Sequence, residues 1–361
     1  MKVLIVNPIL YTNENRNIKK VNTIKDTMIY DLCLAFKKKG CDVTLAASDL
    51  YKPSENESYP FNIIWMRTRC TKIFPPHTLP YCPEVKKIAK SGNFDLIITS
   101  EVFSLNSLKL ALCTLKNLIV WQELGKHNRI FHGLASKFWY GIVAKIGFKK
   151  ALIVARSVQA REFISKYCKN VSDTIIDHGV NIEKFTPCRE KDNQFAISSQ
   201  LISRKHIEKS IEAFAKYLNK YDDSAKLYIM GDGDEKENLR KLTKDLGADK
   251  NIIFTGKLGH NELIEILKKS IAMLVYTEKD NNMVSVVESI ALATPVITTD
   301  IPYNASYIKA EKLGIVNNNW NEDDLRKLAT SDEYINNCIN YRKYLPTEYK
   351  AEQFLKVKGL I

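Results

Sequence analysis

No stretch of this 361-residue chain approaches the roughly 18 uncharged apolar residues of a membrane-crossing helix. The apolar run at residues 1–7 is short and stops at Pro8. It has neither the long apolar core nor the small-residue cleavage site of a secretory signal, so export is not expected. The 8 cysteines are scattered, with no Cys-x-x-Cys pair and no Cys/His cluster at zinc spacing. That excludes a disulfide scaffold and points to reduced thiols in a cytosolic protein. The sequons at Asn170 and Asn304 then carry no meaning. Repeats and low-complexity tracts are absent. No Gly-x-Gly-x-x-Gly follows the first apolar run, which argues against a nicotinamide-dependent dehydrogenase. Acidic charge is scarce in one half only: residues 1–187 hold 28 Lys/Arg against 15 Asp/Glu, whereas residues 188–361 hold 26 of each. The whole formal excess of +13 therefore lies in the first half. It serves either as a solubility surface or to face an anionic partner, whether nucleic acid, a membrane surface or a polyanionic substrate.

What is present is a regular alternation of β-branched runs with helical periodicity. Strands are predicted at 2–7, 42–47, 62–67, 95–99, 118–122, 151–155 and 174–176. Helices are predicted between them at 23–39, 83–91, 104–115, 134–148 and 158–166. A polar, aperiodic stretch at 185–193 places a domain boundary at 187/188. The rhythm then restarts, with strands at 195–199, 226–230, 252–255, 272–276 and 295–298, and helices at 207–218, 236–245, 261–269 and 284–293. Further helices are predicted at 322–330, 332–344 and 347–357. The expected architecture is α/β, with two Rossmann-like doubly wound domains facing each other across a cleft and ligands at the carboxyl ends of the strands.

The most informative stretch runs from Val275 to Thr299. A strand leads into a polar loop, a helix, Thr294-Pro295 and another strand. The backbone amides of Met283, Val284 and Ser285 would lie free at the helix N-terminus, where dipole and hydrogen bonds hold phosphate. Asp280 sits in the loop. Glu288, flanked by Val287 and Ile290, is placed to accept from two ribose hydroxyls. The plainer alternative makes Asp280 a helix-start residue and Glu288 a solvated charge. Lys205 follows a strand and precedes a helix, and its ammonium is a point charge suited to a diphosphate, or an ordinary helix-start residue. Asp232-Gly-Asp234 has the spacing of a metal-nucleotide motif. Its place after a strand favours a turn, with Asp234 opening the next helix.

These residues resemble glycosyltransferase family 4, the retaining nucleotide-sugar transferases of GT-B fold. Asp280-x7-Glu288 occupies the two acid positions of the family's E-x7-E signature, and Thr294-Pro295-Val296 matches its end. The first acid is Asp, Asn281 and Met283 replace loop glycines, and Ala293 stands where Gly is usual. The variant loop is similar to capsule and exopolysaccharide members. His178-Gly-Val-Asn-Ile-Glu-Lys-Phe185, Ser199-Gln200-Leu201-Ile-Ser-Arg204-Lys205, Met230-Gly231-Asp-Gly233 and Phe254-Thr-Gly256-Lys-Leu258 match further segments in order. The resemblance covers residues 178–300, and the first half only in pattern. It implies a UDP-linked sugar bound by Ser199, Gln200, Arg204, Lys205, Gly231, Gly256, Leu258 and residues 281–285, among them Asn282, with Glu288 on the ribose and Asp280 on the sugar hydroxyls. Gln200 stands at the family's Arg position, and Arg204 is the candidate substitute. It also implies no metal or other cofactor, and a donor phosphate oxygen as the acceptor of the transferred proton.

In the first half, the loop at 7–13 lacks the family's glycines. Glu123 and His127, at another strand end, are candidates to face the acceptor. Lys137, Lys145 and Lys149 are expected to share a face with Leu134, Phe138 and Phe148, while Arg67, Arg69 and Lys72 form a second basic loop. Both suit an anionic membrane surface or a polyprenyl-diphosphate-linked acceptor, or else are solvated charge on a core helix. The expected organisation is an acceptor domain at 1–187, a donor domain at 188–347 and a helix at 348–361 returning to the first. The expected activity is transfer of a hexose or N-acetylhexosamine to a glycan or lipid-linked acceptor, in the cytoplasm or peripheral on the inner membrane face. A polyanion-binding protein and a GT-B sugar-nucleotide epimerase, with Glu123 as a catalytic acid, are the alternatives. No nucleic-acid recognition motif is present.

Overall fold

A computed structural model of the chain describes residues 1–11, 18, 23–55, 57–113, 115–128 and 133–361. Residues 12 and 13 of the glycine-free loop lie outside them. Two compact units result: residues 1–179 with 347–361, and residues 180–346.

In the first unit, runs such as Val3-Leu4-Ile5-Val6, buried on both faces, form the interior of a parallel sheet. Its strands are β1 (Lys2–Val6), β2 (Asp42–Ser48), β3 (Asn62–Met66), β4 (Leu96–Ser100), β5 (Leu118–Gln122) and β6 (Leu152–Ala155), in the order β3-β2-β1-β4-β5-β6. Successive side chains point to opposite faces. Val3 and Ile5 therefore pack with Leu32 and Phe36 of α1 (Met28–Lys38). Leu4 and Val6 pack with Val85 and Ala89 of α2 (Val85–Ser91), Leu110 of α3 (Leu105–Ala111), and Tyr140, Ala144 and Phe148. The last three come from a continuous helical segment: α4 (Leu134–Phe138), a π turn (Trp139–Ala144) and α5 (Lys145–Gly147). Helix α6 (Val158–Ser165) follows β6.

The second unit repeats the plan. It comprises β7 (Gln194–Ser198), α7 (Ile207–Lys220), β8 (Lys226–Met230), α8 (Lys236–Asp245), β9 (Ile252–Gly256), α9 (His260–Lys269), β10 (Ala272–Leu274), α10 (Val284–Ala291), β11 (Val296–Thr298), α11 (Ala305–Ala310), β12 (Gly314–Val316), α12 (Glu322–Ala329) and α13 (Glu333–Tyr341). The all-parallel order is β12-β11-β10-β7-β8-β9. Counted from its own first strand, each sheet has the same arrangement. Each has one topological switch point, between β1 and β4 and between β7 and β10, where open α/β sheets take ligands.

The last helix, α14 (Thr347–Val357), belongs to the first unit. The Phe354 ring lies tilted against Phe36 with centroids 6.2 Å apart, and Lys38 and Lys39 bond Glu348 and Glu352 at 2.8 and 2.6 Å. The division falls at Gly179, ahead of the 187/188 boundary read from composition. A Cβ on Gly179 would lie 2.6 Å from the Thr347 backbone, whereas the Val180 N–H already bonds Leu345 O at 3.0 Å inside the second unit.

Other expectations need correction. The first helix begins at Met28, because the Thr27 hydroxyl accepts from the Tyr30 N–H and caps it there. Residues 174–176 form no strand, since one bond from the Ile176 N–H to Ala155 O does not continue into a ladder. Helix α11 and strand β12 were not anticipated, each being too short for a periodic signal. Among the described residues no helix is long and apolar enough to cross a membrane.

Candidate functional site

At the second unit's switch point, β7 ends at Ser198, and Ser199 leads toward a tight turn over Ser203–Lys205. His206 closes that turn in the left-handed region (φ 40°) before α7 begins. Its ring bonds Glu208 at 2.7 Å and reaches Glu278 at 2.7 Å, and these carboxylates, Glu208 first, raise its pKa. The turn is thereby tied to the loop after β10. The Glu278 N–H donates to Arg204 O at 3.0 Å, and the Thr277 hydroxyl oxygen lies 3.3 Å from the same carbonyl.

Lys205 Nζ donates to Asp280 Oδ2 at 2.7 Å, and both side chains are largely buried. The Thr277 hydroxyl donates to the same oxygen at 2.6 Å. Arg204 Nη1 donates to Asp280 Oδ1 at 3.2 Å and to Lys279 O at 2.6 Å. Lys205, Ser199 and Met283 line one small hollow with Tyr276. The cation and acid read separately from the sequence thus meet in one ion pair, with Arg204 as a second cation.

Glu288 stands apart from that hollow's lining. Its carboxylate lies 3.0 Å from His260 Nε2, and the His260 ring packs edge-on to Phe185. The amides at the start of α10 are not all open, as had been expected. The Met283 N–H donates to Asn304 Oδ1 at 2.6 Å, and the Asn304 amide returns a bond to Met283 O at 3.3 Å. Val284 and Ser285 form the first turn after this anchor, with amides that a helix leaves without an internal partner. Asn281 O accepts from the Tyr303 N–H, and Asn282 completes the loop, half-buried. Sequence reasoning missed Asn304, His260 and Thr277 as site residues.

Gly231 and Gly233 are dictated by close approach. A Cβ on Gly231 would lie 1.8 Å from Ser199 O, and one on Gly233 2.3 Å from Leu201 O. Asp232 bonds Lys236 and the Gly233 N–H, Lys236 chiefly lowering its pKa. Asp234 does not cap the following helix, which starts at Lys236 with Glu235 at the N-cap position and no side-chain cap. Gly256, at φ 73°, accepts the Gly231 N–H at 2.9 Å, and Leu258 packs on the core beneath α10. Gln200 is exposed.

At the first unit's switch point, the Ser100 hydroxyl donates to Asn7 Oδ1 at 2.5 Å. Arg156 donates to Glu123 Oε2 at 2.8 Å and His178 Nε2 at 3.1 Å, its guanidinium 3.7 Å above the Trp121 ring. Glu101, strained at φ 66°, receives the Glu123 N–H at 2.7 Å, and burial pushes its carboxyl up to about 7. Glu123 therefore sits in this cluster. His127 does not: its ring nitrogens lie 3.1 Å from Ser136 Oγ and Tyr167 OH, among the Tyr140, Phe163 and Tyr167 rings. Burial lowers its pKa. Lys137, Lys145, Lys149, Arg67, Arg69 and Lys72 are all exposed, as are Leu134 and Phe138. Phe148 is fully buried and does not share their face.

Residues 181–343, almost the whole second unit, match the family described as glycosyl transferases group 1. The second unit is a group 1 glycosyltransferase domain. The chain is similar to the alpha-monoglucosyldiacylglycerol synthase of Streptococcus pneumoniae, 26% identical over 63% of this chain and 57% of that protein. It is also similar to the O-antigen chain mannosyltransferase RfbU of Salmonella typhimurium, 28% identical over 46% of this chain and 47% of that one. The match thus spans about half the length of these curated relatives. Among solved structures, Anabaena Alr3699/HepE in complex with UDP and glucose superposes over the full length of both chains, with a TM-score of 0.65 at 10% identity. The two Rossmann-like units are those of the GT-B fold.

Proposed function

We propose that the protein is a retaining glycosyltransferase of family 4. It moves a hexose or N-acetylhexosamine from a UDP-linked donor to a glycan or lipid-linked acceptor, in surface polysaccharide or glycolipid assembly at the cytoplasmic membrane face. The carrying observation is the Lys205–Asp280 pair beside Ser199 and Met283, at the switch point of a group 1 glycosyltransferase domain. The UDP in the Anabaena structure supports the donor class, and the name of the pneumococcal relative supports a lipid-borne acceptor.

In this reading the donor diphosphate competes with Asp280 for Lys205 and Arg204. Release of Asp280 leaves its carboxylate to accept from sugar hydroxyls, and Glu288 turns from His260 to the ribose. The anomeric C–O bond to phosphate breaks as the acceptor oxygen bonds the same carbon from the same face. The departing phosphate oxygen takes the acceptor proton, so no protein base is required and α linkage is retained. Lys205, Arg204 and the first-turn amides of α10 stabilise the leaving diphosphate, the task a metal performs elsewhere.

Thermal unfolding with UDP, GDP and ADP, each in EDTA, tests the reading. The expected result is a UDP-dependent rise in Tm that is lost in Lys205→Ala and Glu288→Ala. A rise with RNA or DNA alone, or a UDP response that needs a divalent ion, overturns it.

A further inference from the structure

From α4 through the π turn to α5, four large apolar side chains face solvent. Leu134, Phe138, Ile142 and Ile146 are exposed at 68, 61, 51 and 73%. They recur every fourth residue. In a regular α-helix that spacing drifts about 40° around the axis at each step. The wider turn over Trp139–Ala144 counters part of that drift, and all four side chains stay exposed. The opposite side of the same segment is already saturated, with Tyr140, Ala144 and Phe148 fully buried on the sheet. The core therefore has no use for the stripe. The charges beside it are of one sign: Lys137, Lys145, Lys149 and Lys150 are exposed, and the sequence from 124 to 161 contains no Asp or Glu.

The same helical layer continues sideways. A Cβ on Gly147 of α5 would touch Leu108 of α3 at 2.3 Å, so these helices pack closely. Leu112, just past α3, is 62% exposed. Between α2 and α3 opens a cavity of about 490 Å³ lined by Pro83, Lys86, Lys87, Lys90, Ser91 and Lys109, without a carboxylate. Lys109 is held there by Pro83 O at 3.2 Å and lies 5.1 Å from the centre of the Tyr81 ring.

We propose that this α2–α3–α5 face docks on an anionic lipid bilayer. Phe138, Ile142 and Ile146 enter the acyl boundary, and the lysine-lined cavity receives a headgroup phosphate. An exposed apolar stripe whose only charged neighbours along the segment are lysines is complementary to a surface that is apolar below and negative above. A second copy of the chain would set lysines against lysines. A nucleic acid would satisfy the lysines and leave the stripe in water. The proposal rests on the membrane-side placement in the function proposed above and narrows it to one surface; it does not depend on the transfer chemistry.

The test is co-sedimentation of the full chain with vesicles of phosphatidylcholine alone or mixed with phosphatidylglycerol. Binding is expected only with phosphatidylglycerol, and is expected to fall roughly tenfold or more in Phe138→Ser/Ile142→Ser/Ile146→Ser and in Ile146→Glu alone. Lys86→Ser/Lys87→Ser/Lys90→Ser is expected to weaken binding most at low salt, where lysine–phosphate attraction is least screened. Equal binding to neutral vesicles, no binding, or wild-type binding by the apolar variants overturns the proposal. So does a dimer in size-exclusion chromatography that the apolar variants dissolve, or displacement of the protein from vesicles by RNA that leaves those variants' RNA affinity unchanged. The UDP-dependent rise in Tm, measured on the same proteins, reports folding and the donor site separately. Its absence from all of them would count against the transferase reading while leaving the vesicle result standing.

Discussion

At the scale of single residues, backbone strain and burial mark two positions for direct measurement. Ala293 is fully buried and held at φ 61°, a conformation that costs an L-residue with a Cβ about 1–2 kcal/mol. Glycine is usual there in the family pattern. Ala293→Gly is expected to stabilise the protein by roughly 1 kcal/mol after the extra chain entropy of glycine is counted, read as a higher urea midpoint. His178 is buried, accepts from Arg156 at Nε2 and is held neutral. Burial first, and then the Arg156 charge, push its pKa down to about 3. In the unfolded chain it titrates near its ordinary value, so the unfolded state binds more protons as pH falls. Stability is therefore complete above about pH 6.5 and is lost progressively below it. Between pH 6.5 and 5 this single group should account for a loss of about 2 kcal/mol. His178→Gln should flatten that part of the stability–pH profile in urea titrations, and an unchanged slope would refute the assignment.

At the scale of elements, the informative case is the start of α10. The helix itself is legible in the apolar spacing of Val286, Val287 and Ile290. Its placement is not, because the anchor comes from Asn304, 21 residues away and 1% exposed. The only sequence signal at Asn304 was a glycosylation sequon, which carries no information about that contact. Asn304 also receives no support from its own helix, since α11 is too short to be read from periodicity. Asn304→Ala should free the Met283 amide, loosen the first turn and weaken UDP binding about tenfold, the equivalent of one or so hydrogen bonds. Calorimetric titration checks this, and a variant that binds UDP as tightly as the wild type would assign Asn304 to packing alone. The Lys205–Asp280 pair has a similar history. Both residues could be placed at strand ends, but their meeting depends on β7 and β10 being neighbours despite their separation in the chain.

At the scale of the whole molecule, the last 15 residues belong to a unit whose other residues end at Gly179. Ala351, Phe354 and Leu355 of α14 are fully buried in the core that holds Leu32 and Phe36, and Lys350 pairs with Asp177. Truncation after Pro346 should therefore destabilise the first unit and leave the second largely intact. Two separated thermal transitions, with the UDP response retained by the later one, would show this; a single unchanged transition would contradict it. Burying these side chains is worth several kcal/mol in all, a large share of a domain's net stability.

The amino-acid sequence alone determined the parallel α/β layering, the two-unit plan and the candidacy of Lys205, Asp280 and Glu288. Each of these follows from local periodicity or from residue types in the loop after a strand and on the helix that follows it. Only the tertiary structure decided the partners: Asp280 on Lys205, His260 on Glu288, Asn304 on Met283, and His127 enclosed by Ser136, Tyr167 and aromatic rings. It also decided that Phe148 turns inward while Ile142 and Ile146 turn out. The physical reason is the same throughout. A hydrogen bond or ion pair depends on distances of about 3 Å between atoms that the strand order brings together, and one-dimensional spacing carries no record of that order.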